Sequence, residues 1–186
     1  MMTNVIPVLV ALEQELPDHL PAAYVKVITG IGKVNATVAI METIHKYNPK
    51  TIINFGTAGS LNPMFGTGLH SIAKVAQRDL DIRALGLQLG QASRHDPVWY
   101  LLDDIESRPT LTSGDQFVAI RPEMDSDLVD MEAAAYAKVC YDRRIILDVY
   151  KFVSDNADGE AAGTWSENCH KGAQLFMEKI ASRNGT

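Results

Sequence analysis

Residues 5–12 read Val-Ile-Pro-Val-Leu-Val-Ala-Leu, eight apolar positions with no polar interruption. A stretch of that kind suits a β-strand covered on both faces. The rest of the chain keeps supplying candidates of the same type. Tyr24 to Thr29 alternates apolar residues at Val25 and Val27 and ends at Gly30-Ile31-Gly32. Val34, Val38, Met41 and Ile44 then recur at helical spacing as far as Tyr47, before Pro49 stops the helix. Thr51 to Phe55 reads as a strand broken by Gly56-Thr57-Ala58-Gly59, and Ser71 to Ala76 as another. Residues 77–110 carry mixed charge, Pro97 and Pro109, with one short helix expected around Val98–Ile105. An alanine-rich helix is expected over residues 128–143, and a β-branched strand from Ile145 to Val153. Thr164-Trp165-Ser166-Glu167 has the capping-box pattern, opening a helix with Leu175, Phe176 and Ile180 on its inner face. Strands alternating with helices predict an α/β fold, a three-layer sandwich around a mixed, largely parallel central sheet. Ligands in such folds bind at the carboxyl ends of the strands.

Composition narrows the class of partner. The 186 residues suit one domain, 1–186, and an apolar fraction of 46% with 22% charged residues is ordinary for a soluble globular protein. A net charge of -6 argues against a nucleic-acid partner, which would require a basic face. No apolar run approaches the roughly 20 residues that cross a bilayer, and the N-terminus lacks the basic segment of a signal peptide. Cys140 and Cys169 fall in helical segments without metal-ligand spacing. The expectation is a cytoplasmic protein with reduced cysteines, no metal and no cofactor.

The polar and glycine-rich positions collect at strand ends. Glu13 and Glu15 follow the first strand, where a carboxylate equally serves to start a helix. Gly30-Ile31-Gly32-Lys33 could cradle an anion at a helix N-terminus, but has neither Walker nor dinucleotide spacing. Gly56-Thr57-Ala58-Gly59-Ser60 permits close backbone approach and offers two hydroxyls. Phe117, after Ser113-Gly114-Asp115-Gln116, could stack on a planar base or fill a core. Glu132 sits among small apolar neighbours, where an unpartnered carboxylate is costly. Ser154-Asp155 closes the last strand and, taken alone, is a cap or turn.

Together these segments resemble the methylthioadenosine/S-adenosylhomocysteine nucleosidases and the wider nucleoside phosphorylase superfamily. The matching pieces are Ala11-Leu12-Glu13-Gln14-Glu15, Gly30-Ile31-Gly32-Lys33-Val34, Asn54-Phe55-Gly56-Thr57-Ala58-Gly59, Ser113-Gly114-Asp115-Gln116-Phe117, Val129-Asp130-Met131-Glu132-Ala133 and Val153-Ser154-Asp155, in collinear order. The resemblance implies a nucleoside phosphorylase-like fold and hydrolysis of a purine nucleoside at its N-glycosidic bond. It assigns Asp155 as the acid on nitrogen 7 of the purine, oriented by Ser154, and Glu15 as the base that activates water. Phe117 would stack on the base, with backbone around Gln116 and Val118 reading its edge. Glu132 would hold the ribose hydroxyls, Met131 would lie against the sugar, and Thr57 and Ile31 would line the site. The chemistry requires such a set, because bond cleavage leaves a cationic sugar and a poor purine leaving group. Acid on one side and base with water on the other repeats the logic of an inverting glycosidase.

The pattern also departs from the family. Lys151 stands where the family has an arginine and lacks its bidentate fork. The segments after Glu15 and after Gly90-Gln91 are short. Ile82 and Leu85 lie in a loop that, by resemblance, reaches the 5′ pocket of a neighbouring subunit, which implies a homodimer. No arginine near the first strand matches the phosphate ligands of phosphorylases, so water is the expected nucleophile. Two alternatives stand beside the nucleosidase: a phosphorylase using Lys33 and backbone amides for phosphate, and a non-catalytic nucleoside-binding or storage protein.

Overall fold

The computed structural model describes residues 5–118, 120–155 and 165–183, with backbone alone described for Ser154, Asp155 and residues 165–169. Nine strands among the described residues form one sheet. They are β1 (Ile6–Val10), β2 (Tyr24–Ile28), β3 (Thr51–Ser60), β4 (Gly68–Ser71), β5 (Lys74–Gln77), β6 (Tyr100–Leu101), β7 (Thr110–Ser113), β8 (Leu128–Asp130) and β9 (Ile146–Asp155). The helices are α1 (Lys33–Tyr47), α2 (Ala133–Arg143) and α3 (Trp165–Arg183). The sheet runs β2-β1-β3-β8-β7-β5-β6, with β9 pairing the opposite edge of β3 from Thr51 to Gly59 and carrying β4 on its far side. Pairings β1–β2, β1–β3, β3–β9, β5–β7 and β7–β8 are parallel, whereas β3–β8, β4–β9 and β5–β6 are antiparallel. The expected mixed, largely parallel sheet is therefore present.

Side-chain alternation sorts the core into two layers. Leu9, Ile52, Leu147, Val149 and Val153 face α1 and α2, packing with Ala36, Ile40 and the alanines of α2. Val8, Val10, Ile53, Phe55, Tyr150 and Phe152 face α3, where Phe176 and Ile180 are fully buried. Phe55 and Phe176 stack with ring centroids 4.4 Å apart. Pro7, which has no N–H, sits where β1 pairs with β2 alone, since the β1–β3 register begins at Val8.

Several local expectations change. β3 does not break at Gly56 but runs on to Ser60, its end held by β9 on one side and β8 on the other. Residues 128–130 form a strand rather than the start of a helix. Leu128 and Val129 pair with β7 and β3, and α2 begins at Ala133, whose N–H donates to Asp130 Oδ2 at 3.0 Å. No helix forms at 98–105. Tyr100–Leu101 pairs with β5, and the N–H groups of Leu102 and Asp103 both donate to the Ala73 carbonyl. The separate strand expected over Ser71–Ala76 is two, β4 and β5, with Ile72 and Ala73 buried between them. On α1 the buried residues are Ala36, Ile40 and Thr43, while Val34 and Val38 are exposed. On α3, Leu175 is exposed beside the buried Phe176 and Ile180. The capping residue Thr164 lies outside the described residues.

Candidate functional site

The site is built on the carboxyl ends of β1, β3, β8 and β9. After β1 the chain makes one 3-10 turn, Glu13–Glu15, which folds Glu15 back over β3. Its carboxylate accepts the Leu12 N–H at Oε2 (2.9 Å) and the Thr57 N–H at Oε1 (3.3 Å). Glu15 is buried, and burial raises its pKa above the ordinary carboxylate value against these hydrogen bonds and the nearby Lys151 charge.

Gly56 explains why β3 carries small residues here. A Cβ at this position would lie 3.2 Å from Glu15 Oε1 and 3.4 Å from Lys151 Nζ. The glycine lies within β3, where Glu15 and Lys151 close over it, rather than in a turn.

Lys151 projects from β9 between Val149 and Val153, and it is fully buried. Its ammonium pairs with Asp130 Oδ2 at 2.8 Å. Burial alone would lower the amine's pKa, but Asp130, Glu132 and Glu15 together overcome this and raise it. Asp130 is anchored in turn, since Oδ1 accepts the Ser113 hydroxyl and Oδ2 accepts the Ala133 N–H. Ser113 Oγ accepts the Ala134 N–H (2.8 Å), so the first turn of α2 is capped from both strand ends. Glu132, the residue preceding α2, turns toward α1 and accepts the Gly32 N–H at 2.9 Å. Burial and then the neighbouring Asp130 charge raise its pKa to about 7, against the pull of Lys151 and the Gly32 N–H. Three carboxylates share one ammonium in a nearly dry setting, so a retained proton is the expected compensation.

The N-terminus of α1 is occupied from within the chain. Gly32 has φ 88°, a conformation that favours glycine. Its N–H goes to Glu132, and the Lys33 N–H donates to Asp115 Oδ1 at 2.8 Å. The Lys33 ammonium pairs with Asp79 and, at 3.5 Å, with Asp115 Oδ2. The helix N-terminus at Gly30–Lys33, which could have cradled an anion, is filled by this protein's own carboxylates.

Beside it, Ile31, Gly32, Lys33, Val34, Asp115 and Met131 line an open cavity of about 260 Å³. A larger one of about 380 Å³, between Asp18–Leu20 and β2, holds none of the residues singled out in the sequence. The structure thus gathers Glu15, Thr57, Glu132 and Lys151 into one cluster, with Ile31 and Met131 on the adjoining cavity. Phe117 is 90% exposed, and among the described residues its ring stacks on no other aromatic ring. Gln116 beside it is exposed and Val118 half-buried. Ile82 precedes and Leu85 ends a 3-10 turn at Arg83–Leu85 outside the cluster, with Leu85 72% exposed. The backbone of Asp155 lies opposite Gly59 in β3, past a register shift. The side chains of Ser154 and Asp155 lie outside the described residues. Two contributors carried no role in the sequence reading, Asp130 and Arg78. Asp130 had a signal in the acid that interrupts Leu128-Val129-Asp130-Met131, whereas Arg78 showed only a cation just past β5. Among the described residues no group of three or more His, Cys, Asp or Glu is arranged to hold a metal ion.

The helices thus cover both faces of a mixed sheet whose strand ends carry buried acids. Residues 23–105 match the model of the phosphorylase superfamily. The 5'-methylthioadenosine/S-adenosylhomocysteine nucleosidase of Staphylococcus saprophyticus is 31% identical, the match covering 82% of this chain and 74% of that protein. The crystal structure of the same-named enzyme from Neisseria meningitidis, in complex with methylthio-immucillin-A, has a TM-score of 0.81 at 25% identity, covering 96% of this chain and 99% of the other. Futalosine hydrolase of Helicobacter pylori shares the fold, with a TM-score of 0.82 at 22% identity over 97% of each chain. The chain belongs to the 5'-methylthioadenosine/S-adenosylhomocysteine nucleosidase family.

Proposed function

We propose that this protein hydrolyses the N-glycosidic bond of a purine nucleoside, releasing adenine from 5'-methylthioadenosine or S-adenosylhomocysteine. The observation that carries the reading is the buried cluster of Glu15, Glu132, Asp130 and Lys151 at the strand ends, in a chain of this family. Glu15 is the base that activates water, and Glu132 holds the ribose hydroxyls beside Met131. Asp155, oriented by Ser154, is the acid that protonates the departing purine. Phe117 covers the base, and Gln116 and Val118 read its edge through the backbone. Lys151 sets the charge of the carboxylates that surround the sugar. General acid or base assistance of this kind contributes ~10²–10⁴-fold per group.

Water rather than phosphate is the nucleophile in this reading. Lys33 and the amides of Gly32 and Lys33, which a phosphorylase would turn toward phosphate, already hold Asp79, Asp115 and Glu132. The 5' pocket is completed by a second copy of the chain, with Ile82 and Leu85 as its contributions. The exposed Val34 and Val38 and the partly exposed Ile31 on and before α1 support this arrangement as a homodimer. The buried, unpaired thiol of Cys140 fits a cytoplasmic setting.

The test is a panel of purine nucleosides, futalosine included, incubated with and without phosphate and assayed for free base. Adenine and free methylthioribose without phosphate are expected, and Asp155→Asn should abolish release while the chain stays folded. Strict dependence on phosphate would sink the hydrolase, and near-parental turnover by Asp155→Asn would remove the acid from that position.

A further inference from the structure

Arg78 follows β5 and turns back beneath the strand ends. Its N–H donates to the Ser113 carbonyl at 2.9 Å. Its guanidinium then serves four more carbonyls: Nη1 donates to Thr112 O and Asp130 O, both at 2.8 Å, and Nη2 to Gly114 O at 3.2 Å and Gln116 O at 2.8 Å. One planar group thus ties the end of β7, the end of β8 and the 114–116 loop to β5. A lysine presents three donors from a single point and cannot span two carbonyl pairs. Gly114 is fitted to the same group, since a Cβ there would come within 3.0 Å of the Arg78 Cζ and Nε atoms.

Two consequences follow from the covalent geometry. The Gln116 carbonyl points at Nη2, so across the planar trans peptide the Phe117 N–H points the opposite way. Asp130 also joins two halves of the site, its carbonyl accepting from Arg78 and its carboxylate from Lys151. The distance between the loop and the carboxylate cluster is thereby set through one residue.

We infer that Arg78 is a positioning residue for the purine, holding the 114–118 backbone in register with Glu132 and Glu15. The inference rests on the hydrolase reading, in which that backbone reads the base. Arg78 touches no reacting atom. It acts on affinity for the base, which is made equally in the ground and transition states, so its loss raises KM and leaves kcat largely intact.

The experiment compares the wild-type chain with R78K, R78A and G114A. Readouts are KM and kcat for 5'-methylthioadenosine, the Kd of adenine by calorimetry, and Tm. R78K should raise KM and the adenine Kd by about tenfold, the loss expected from one or two charge-assisted hydrogen bonds. Its kcat should stay within about threefold of the wild type. G114A should shift the same constants in the same direction, because it displaces the guanidinium from the loop side. Millimolar methylguanidinium should partly restore the KM of R78A. A KM and adenine Kd unchanged in both R78K and G114A would overturn the inference. So would kcat, KM and Tm failing together without methylguanidinium rescue, the pattern of a structural prop. If the wild-type chain releases no base from any purine nucleoside and does not bind adenine, the hydrolase reading itself falls and takes this role with it. Wild-type turnover with an indifferent R78K removes the role of Arg78 alone.

Discussion

Lys151 is the cation on which the buried carboxylates of the site converge. Where the family resemblance implies an arginine fork, a point charge sits fully buried against Asp130, with Glu15 beside it over Gly56 and the Glu132 charge acting on it as well. Removing only the cation leaves Asp130 buried without its ion partner, the costly half of breaking a buried pair. Lys151→Met is therefore expected to lose about 3–5 kcal/mol in urea unfolding. The double variant Lys151→Met, Asp130→Asn should recover part of that loss, because its carboxylate no longer needs a counter-charge. A double variant no more stable than the single one would dissociate the two residues. Glu132 gives the matching pH dependence. It titrates near 7 in the folded chain against an ordinary 4.5, so between these values folding retains a proton that the unfolded chain has released. Stability contributed by that proton is complete below about pH 4.5 and is lost as the pH rises through 7. Glu15 acts in the same direction. Asp127 works oppositely: burial opposes ionisation, but hydrogen bonds from Thr110 and Asn62 outweigh it and lower its pKa, so its contribution vanishes in stronger acid. Denaturation across pH 4 to 8 should show declining stability toward pH 8. Glu132→Gln should flatten the decline, and an unchanged slope in that variant would place the titration elsewhere.

Elements were legible where sequence chemistry is local and obscure where it depends on neighbours. The apolar runs of β1 and β9 announce themselves because both faces are buried from Val8 to Val10 and from Val149 to Val153, whereas the edge strand β2 shows itself by alternation. β3 was cut short at Gly56 because glycine usually punctuates a strand, whereas here it makes room for Glu15 and Lys151. β8 read as the start of a helix since three residues cannot outweigh the alanine run that follows, and only pairing with β3 and β7 makes them a strand. The inner face of α1 misled in another way: Ala36 lets α1 approach α2 closely, leaving the larger Val34 and Val38 outside. Glu15 and Glu132 were visible as polar residues at strand ends, but nothing local could show that a common lysine unites them. Gly56 tests this account. Gly56→Ala should retain the fold at a cost of about 1–3 kcal/mol, typical of overpacking a filled interior. It should lower kcat/KM for a purine nucleoside far more than that cost suggests, since the methyl group presses on Glu15 and Lys151 themselves. A variant with parental kcat/KM would show that the two charges need not lie where they do.

At the scale of the whole molecule, the open question is what covers the apolar residues around the candidate cavity. Val34 is 76% and Val38 55% exposed, one turn apart on α1, and Ile31 and Leu85 add to the uncovered apolar surface. Scattered exposed residues need no partner, but these include cavity-lining Ile31 and Val34, beside Met131 and Asp115. A second copy placed there would bury the stripe and, in the proposed reading, wall the sugar's 5' side. Aspartate at both positions, Val34→Asp with Val38→Asp, would put two charges into such an interface while disturbing nothing buried within one chain. Sedimentation of the wild type should give a dimer and of the double variant a monomer. The thermal midpoint of the variant should become independent of concentration, because association no longer contributes to it. With the second copy gone, KM for 5'-methylthioadenosine should rise while adenine, which makes no 5' contact, binds as before. A wild-type monomer, or a variant that stays dimeric, would place the interface on another face, and an equal loss of adenine affinity would mean that the substitutions had reached the base site itself.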